Sequence, residues 1–313
     1  MVKRIQFACL QRTAGGTGFV VNLEVLMRSL FMDLFASFSY IYSGWIFWNL
    51  FLAFIPLILS FVLFRRAHIS KTWLWVCCAF IGFIGVIGFL PRAYYLAPSW
   101  TRLMQAVIAG DRSSLLRLGW LILLAAICLG LSFSIFRRKQ SARSWLWWVG
   151  FVVFVAFLPN APYLLTDIIH LIRGTSSGLI STWVVALVFI PIHVSAILLG
   201  FEAYVISLIN QGAYLKSRNM QAFILPTELL MHGLNAVGIY LGRFIRFNSW
   251  DLATEPTSVL ITTLNALTAR RPLIVIGVTF IILTVFYWIM KQVTLGLKLR
   301  IDYARQGLDV IEG

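Results

Sequence analysis

Seven apolar runs of membrane-spanning length dominate this chain, at 45–64, 73–91, 117–136, 145–159, 179–209, 222–245 and 271–290. A hydrocarbon core about 30 Å thick takes about 20 apolar residues in a helix. Inside it every backbone N–H and C=O must find its partner within the protein, which a helix achieves alone. The pattern predicts an all-α fold, a polytopic transmembrane helical bundle of about seven spans. Composition agrees, since 60% of the 313 residues are hydrophobic and only 12% are charged. Soluble domains carry about 25% charged residues. The 12 Trp among 15% aromatic residues suit rings placed at the lipid–water interface. Residues 1–24 read as a polar tail without the continuous apolar core of a cleavable signal. The stretch 25–44 carries Arg28, Ser29, Asp33 and Ser37 within an apolar background. It reads as an interfacial helix or an eighth span.

The net charge of +15 invites comparison with nucleic-acid binders, yet no separate basic domain exists to hold a nucleic acid. The basic residues sit in short turns instead. Arg65, Arg66 and Lys71 follow the first span; Arg137, Arg138, Lys139 and Arg143 follow the third. Lys216 and Arg218 follow the fifth; Lys291, Lys298, Arg300 and Arg305 follow the seventh. These 13 of the 26 basic residues fall on one side of a seven-span chain, and the positive-inside rule makes that side cytoplasmic. The basic tail 291–313, with the C-terminus, is then cytoplasmic. Lys3, Arg4 and Arg12 would place the N-terminus there too if 25–42 spans. The four cysteines, Cys9, Cys77, Cys78 and Cys128, form no CxxC pair, so neither a disulfide framework nor a zinc site is indicated.

The bundle at 45–290 contains an internal echo. "FRRAHISKTWLW" from Phe64 aligns with "FRRKQSARSWLW" from Phe136, and "FLPRAYYL" from Phe89 with "FLPNAPYL" from Phe157, at offsets of 72 and 68 positions. One four-residue gap reconciles the two. Each copy reads as a helical hairpin, at 45–96 and 117–164, in parallel orientation because two crossings restore direction.

The second copy alone continues into ionisable residues, "FLPNAPYLLTDIIHLI". From Trp145 to Leu158 an α-helix would cover only about 21 Å of the core. Pro159 cannot donate a hydrogen bond and disfavours helical geometry at Leu158, while Asn160 and Pro162 suit the start of a new helix. The fourth span is therefore expected to break and restart, offering an open helix N-terminus. Asn160, Tyr163, Asp167 and His170, spaced three, four and three apart, would share one face. Ionisable groups at the membrane edge are costly enough to read as a site.

Span six supplies a second polar face in Glu228, His232, Asn235 and Arg243, with Gly238 and Gly242 as a close-packing GxxxG pair. It exits through "YLGRFIRFNSWD", placing Arg243, Arg246, Asn248 and Asp251 on the side where span four ends. The arginines are candidates to pair with Asp167 or Asp251, or to clamp a phosphate or carboxylate. His193 lies mid-span beside Pro191, with Glu202 on nearly the opposite face. No HExxH or comparable spacing supports a metal, and no motif points to a cofactor.

"WNLFLAFIP" at Trp48–Pro56, "FLPNAPYLLTDIIHL" at Phe157–Leu171 and "GIYLGRFIRFNSWDL" at Gly238–Leu252 resemble the signature segments of a bacterial multi-span family, domain of unknown function 1361. The resemblance spans about residues 40–290. It implies a multi-pass location in the bacterial inner membrane and no reaction type. In that family the first and second segments belong to one hairpin. Here Pro56 and Phe157 stand 101 positions apart, which reads as an inserted hairpin and argues against Arg92–Tyr95 as site members. The functional expectation is a polar site at the non-cytoplasmic face, acting on an anionic lipid headgroup or lipid-linked substrate. Asp167 or His170 would be the general base; Asn160, Tyr163, Arg243, Arg246, Asn248 and Asp251 would bind substrate. A permease for a small polar or anionic solute and a non-catalytic assembly scaffold are the alternatives.

Overall fold

A computed structural model describes residues 31–32, 45–65, 69–137, 144–169, 171–172, 182–247 and 256–307. Those residues are helical throughout apart from short connections. Helices α1 (Trp45–Phe64), α2 (Lys71–Ile108), α3 (Arg112–Arg137) and α4 (Trp145–Phe157) are followed by the single turn α5 (Asn160–Tyr163). Then come α6 (Ile190–Ser217), α7 (Ile224–Tyr240), α8 (Pro256–Thr268) and α9 (Arg270–Arg305). Seven helical segments among the described residues are long and apolar enough to cross a membrane. Almost all of the 25–44 stretch lies outside the described residues.

Several helices outrun their apolar runs. The chain continues helically through Pro91 and Pro98, making α2 38 residues long, about 57 Å. Each proline removes one backbone bond without ending the helix, as membrane helices tolerate. The basic stretch after Lys291 likewise extends α9 to Arg305. Asp111, just before α3, caps that helix: its carboxylate accepts from the hydroxyls and backbone amides of Ser113 and Ser114. These bonds, the Ser114 hydroxyl foremost, lower its pKa to about 2.

Lipid tails are as apolar as leucine, so burial of apolar surface does not by itself bring membrane helices together; close packing and interhelical polar links do. Helix α1 is the centre of the bundle, touching α2, α4, α5 and α6. In its most apolar stretch 56% of residues are buried, against none in α3. The two hairpins therefore share an order of elements but not a packing. Helices α1 and α2 meet closely, whereas α4 turns away from α3 to pack on α1. Ser60 of α1 accepts from the Asn210 amide of α6 at 3.0 Å.

The lower end of the bundle, where α1 finishes and α4 begins, is locked by aromatic rings. Trp147 stacks on Phe151 at 5.3 Å and on Tyr214 at 5.7 Å, with Phe64 edge-on. Its indole Nε1–H donates to the Leu63 carbonyl at 3.2 Å. Trp147→Phe is expected to cost about 1 kcal/mol for that bond. Trp147→Ala, which also opens a cavity, is expected to cost on the order of 3 kcal/mol. Thermal unfolding in detergent micelles checks both, and equal costs for the two variants would refute the division.

Candidate functional site

At the upper end, where α4 finishes, Pro159 interrupts the helix in an unexpected way. Leu158 (φ −55, ψ −38) and Pro159 (φ −59, ψ −24) both keep right-handed helical geometry. What changes is the hydrogen bonding. The Ala161 N–H tightens onto the Leu158 carbonyl, which leaves the Phe157 carbonyl without its usual helical donor. The Asn160 side-chain Nδ2 donates to that carbonyl at 2.9 Å. Asn160 thus closes the old helix instead of capping a new one, and no open helix N-terminus results. A 3-10 turn, Leu164–Asp167, continues the chain.

This turn delivers Asp167 into the bundle, where it is almost wholly buried. Its Oδ1 accepts from Arg243 Nη2 at 2.6 Å, and its Oδ2 accepts from Asn49 Nδ2 of α1 at 2.8 Å. The Thr166 hydroxyl donates to the Tyr163 carbonyl at 2.6 Å. Its oxygen is then free to accept from Arg243 Nε at 2.9 Å and Nη2 at 2.5 Å. The guanidinium centre lies 4.4 Å from the Tyr163 ring centroid. Arg243 is therefore fixed on three sides, by carboxylate, hydroxyl and aromatic face.

Helix α7 reaches this position because it carries no side chain where the fourth span crosses it. A Cβ at Gly238 would sit 2.6 Å from Cγ of Pro159, and one at Gly242 would sit 3.2 Å from Tyr163 Cε2. The GxxxG pair receives the proline and the tyrosine. Beyond Tyr240 the helix widens into a π turn, Leu241–Ile245, containing Arg243. Arg246 then adopts a left-handed conformation (φ 69) that ends it. Both are departures from regular helix of a kind that cluster at functional sites.

Together these elements enclose a cleft of about 1150 Å³. Asn160, Tyr163, Asp167, Arg243 and Arg246 all line it. His170, Asn248 and Asp251 lie outside the described residues. Arg92 lines the cleft as well, although the sequence pattern argues against it. Its guanidinium carbon is 5.3 Å from the Trp48 ring centroid. Trp48 and Asn49 line it too, outside the polar stripes that the sequence marks, and Thr166 joins the site through its bonds to Arg243. Glu228, His232 and Asn235 are buried but are not among the cleft-lining residues. His193 is buried too, its Nδ1 2.8 Å from the Phe189 carbonyl. Among the described residues no three His, Cys, Asp or Glu side chains form a metal-binding group.

The lining mixes three arginines and one carboxylate with the rings of Trp45, Trp48, Phe151, Phe244 and Phe247. Val152, Leu234 and Phe244 line the cleft and are exposed. These three apolar side chains come from α4, α7 and the turn after α7.

Among the described residues seven helical segments are long and apolar enough to cross a bilayer, which makes this a multi-pass membrane protein. The chain belongs to the family described as protein of unknown function (DUF1361), whose model matches residues 48–115 and 120–285. The match takes in both hairpins, including Arg92. No curated protein and no solved structure matches the chain significantly.

Proposed function

We propose that the cleft binds the anionic headgroup of a lipid or lipid-linked molecule that enters sideways from the bilayer. The observation that carries this reading is the meeting, among the described lining residues, of three arginines with exposed apolar side chains in one cleft. Among the described lining residues, Arg92, Arg243 and Arg246 stand against one carboxylate, that of Asp167. Asp167 neutralises and orients Arg243, leaving Arg92 and Arg246 as the groups that meet a phosphate or carboxylate. The aromatic and aliphatic lining accommodates the part of the ligand nearest its acyl or prenyl chain. The basic turns support a cleft on the non-cytoplasmic side of the cytoplasmic membrane, with the C-terminus inside.

With both Asp167 oxygens engaged, its role is to position rather than to act as base. Proton transfer, if the bound molecule is transformed, falls to His170, three residues further along. The exposed apolar side chains of the lining favour a membrane-derived ligand over a solute drawn from water.

Native mass spectrometry of the purified protein with phosphatidylglycerol and phosphatidylcholine tests the reading. Preferential retention of the anionic lipid is expected, reduced ten- to a hundredfold in an Arg92→Gln/Arg246→Gln variant that unfolds at the wild-type temperature. That range corresponds to losing one or two charge-assisted hydrogen bonds of about 1.5–3 kcal/mol. Equal retention of the two lipids, or an unaffected double variant, would refute it.

A further inference from the structure

Two of the three cleft arginines have no charged partner in the protein among the described residues. Arg92 belongs to α2, within a stretch apolar enough to cross a membrane, Lys71–Tyr94, and it is half-buried. Among the described residues it makes no hydrogen bond and no ion pair. Its guanidinium carbon lies 5.3 Å from the Trp48 ring centroid. A guanidinium resting over a ring keeps its in-plane N–H groups free to donate. A charge in a spanning segment without a protein partner is costly, and by that cost it marks a binding site.

Arg246 follows the π turn after α7, with its backbone left-handed at φ 69. It too has no hydrogen bond or ion pair among the described residues. It stands within electrostatic reach of the Tyr163 hydroxyl. That hydroxyl has no hydrogen-bond partner among the described residues and is not sealed from solvent.

Asp167 matches Arg243, so the described lining residues leave two positive charges, on Arg92 and Arg246. A phosphodiester headgroup brings one negative charge and two free oxygens. A phosphomonoester brings about −1.5 to −2 at neutral pH and three strong acceptor oxygens. A diphosphate can give each arginine a phosphate of its own. Space allows either, since the cleft's volume of about 1150 Å³ exceeds the roughly 300–1000 Å³ common for small-molecule sites.

We propose that the headgroup taken by the cleft is a doubly charged phosphate, a lipid phosphomonoester or diphosphate. Arg92 binds it from α2 and Arg246 from the turn after α7, while the Tyr163 hydroxyl donates to a further oxygen. This inference rests on the anionic-headgroup reading above and narrows it: phosphatidylglycerol satisfies that reading and fills only part of this site.

Four lipids with identical acyl chains separate the two. Phosphatidylcholine, phosphatidylglycerol, phosphatidic acid and diacylglycerol diphosphate are each offered to the purified full chain at about pH 8, where the monoester is doubly ionised. Native mass spectrometry reads their retention. Phosphatidic acid or the diphosphate is expected to be retained about tenfold better than phosphatidylglycerol, the scale of one added charge-assisted hydrogen bond. Arg92→Gln should weaken every anionic lipid and abolish that step, with phosphatidylglycerol still above phosphatidylcholine. Arg92→Lys, which keeps the charge, should keep part of it. Tyr163→Phe removes one hydroxyl and keeps the ring beneath Arg243, so it should reduce the step even if Arg92→Gln fails to fold. Equal retention of the three anionic lipids, all above phosphatidylcholine, overturns the doubly charged headgroup and leaves the broader reading standing. Equal retention of all four overturns both. A step that survives Arg92→Gln in a protein with the wild-type unfolding temperature, or one untouched by Tyr163→Phe, also overturns the proposal. Displacement of phosphatidic acid by an equal concentration of inorganic phosphate would uphold the doubly charged site and overturn the lipid as its source.

Discussion

Asp167→Asn is expected to destabilise the protein by about 3 kcal/mol, the low end of the range for breaking a buried ion pair by removing one partner. The low end applies because the Arg243 side chain keeps 17% of its exposure while Asp167 keeps 2%. The cost arises less from the lost attraction than from the stranded guanidinium, which is left with Thr166 and the Tyr163 ring. Two comparisons separate these contributions. Asn49→Ala removes one hydrogen bond to the same carboxylate and should cost about 0.6–1 kcal/mol, the scale of a single polar link inside a membrane protein. Asp167→Asn combined with Arg243→Met removes both charges and should be more stable than Asp167→Asn alone. Thermal unfolding in detergent measures all three. If Asp167→Asn and Asn49→Ala cost the same, the ion pair contributes nothing as a pair. Anionic-lipid retention should also fall in Asp167→Asn, because Arg243 is no longer held in place.

Much of the architecture is legible in the sequence because the bilayer imposes it. Apolar length and basic turns locate seven crossings, since hydrocarbon thickness and backbone pairing leave few alternatives. The ends are less legible. Hydropathy marks where lipid contact stops, not where a helix stops, so α2 and α9 run on through Pro98 and past Lys291. Helix α8, with 13 residues, is apolar but shorter than a span and gives no strong signal. The candidate site divides in the same way. Residues on one short segment, such as Asn160, Tyr163 and Asp167, announce themselves by spacing. Arg92 does not, because it meets the cleft through tertiary packing. Yet hairpin arithmetic contains the signal: with a turn near 65–70, Arg92 returns to the level of Trp48 at the far end of α1. Asn49 carried a signal too, being a lone amide in an apolar run. The bonding at Pro159 was beyond reach, since a proline and an asparagine predict a break equally well by capping a new helix or by closing an old one.

The α1–α2 contact that brings Arg92 to Trp48 depends on Gly88, and Gly88→Ala is expected to have the largest effect of any single methyl in the bundle. A Cβ there would fall 2.8 Å from the Trp48 Cα and 2.9 Å from the Phe47 carbonyl carbon. Those are backbone atoms of a helix packed on three other sides, so no side chain can yield and the helices must separate. Overpacking of this kind costs about 1–3 kcal/mol, more than the gain of about 1 kcal/mol from replacing a helical glycine. A Cβ added at Gly82, on the same helix, would meet nothing within 4 Å. Gly82→Ala should therefore be neutral or stabilising, and the two variants should shift the unfolding temperature in opposite directions. Separation of α1 from α2 would also withdraw Arg92 and Trp48 from the cleft, so Gly88→Ala should weaken anionic-lipid retention while Gly82→Ala leaves it intact. Loss of stability with retention unchanged would show that Arg92 does not reach the ligand through this contact.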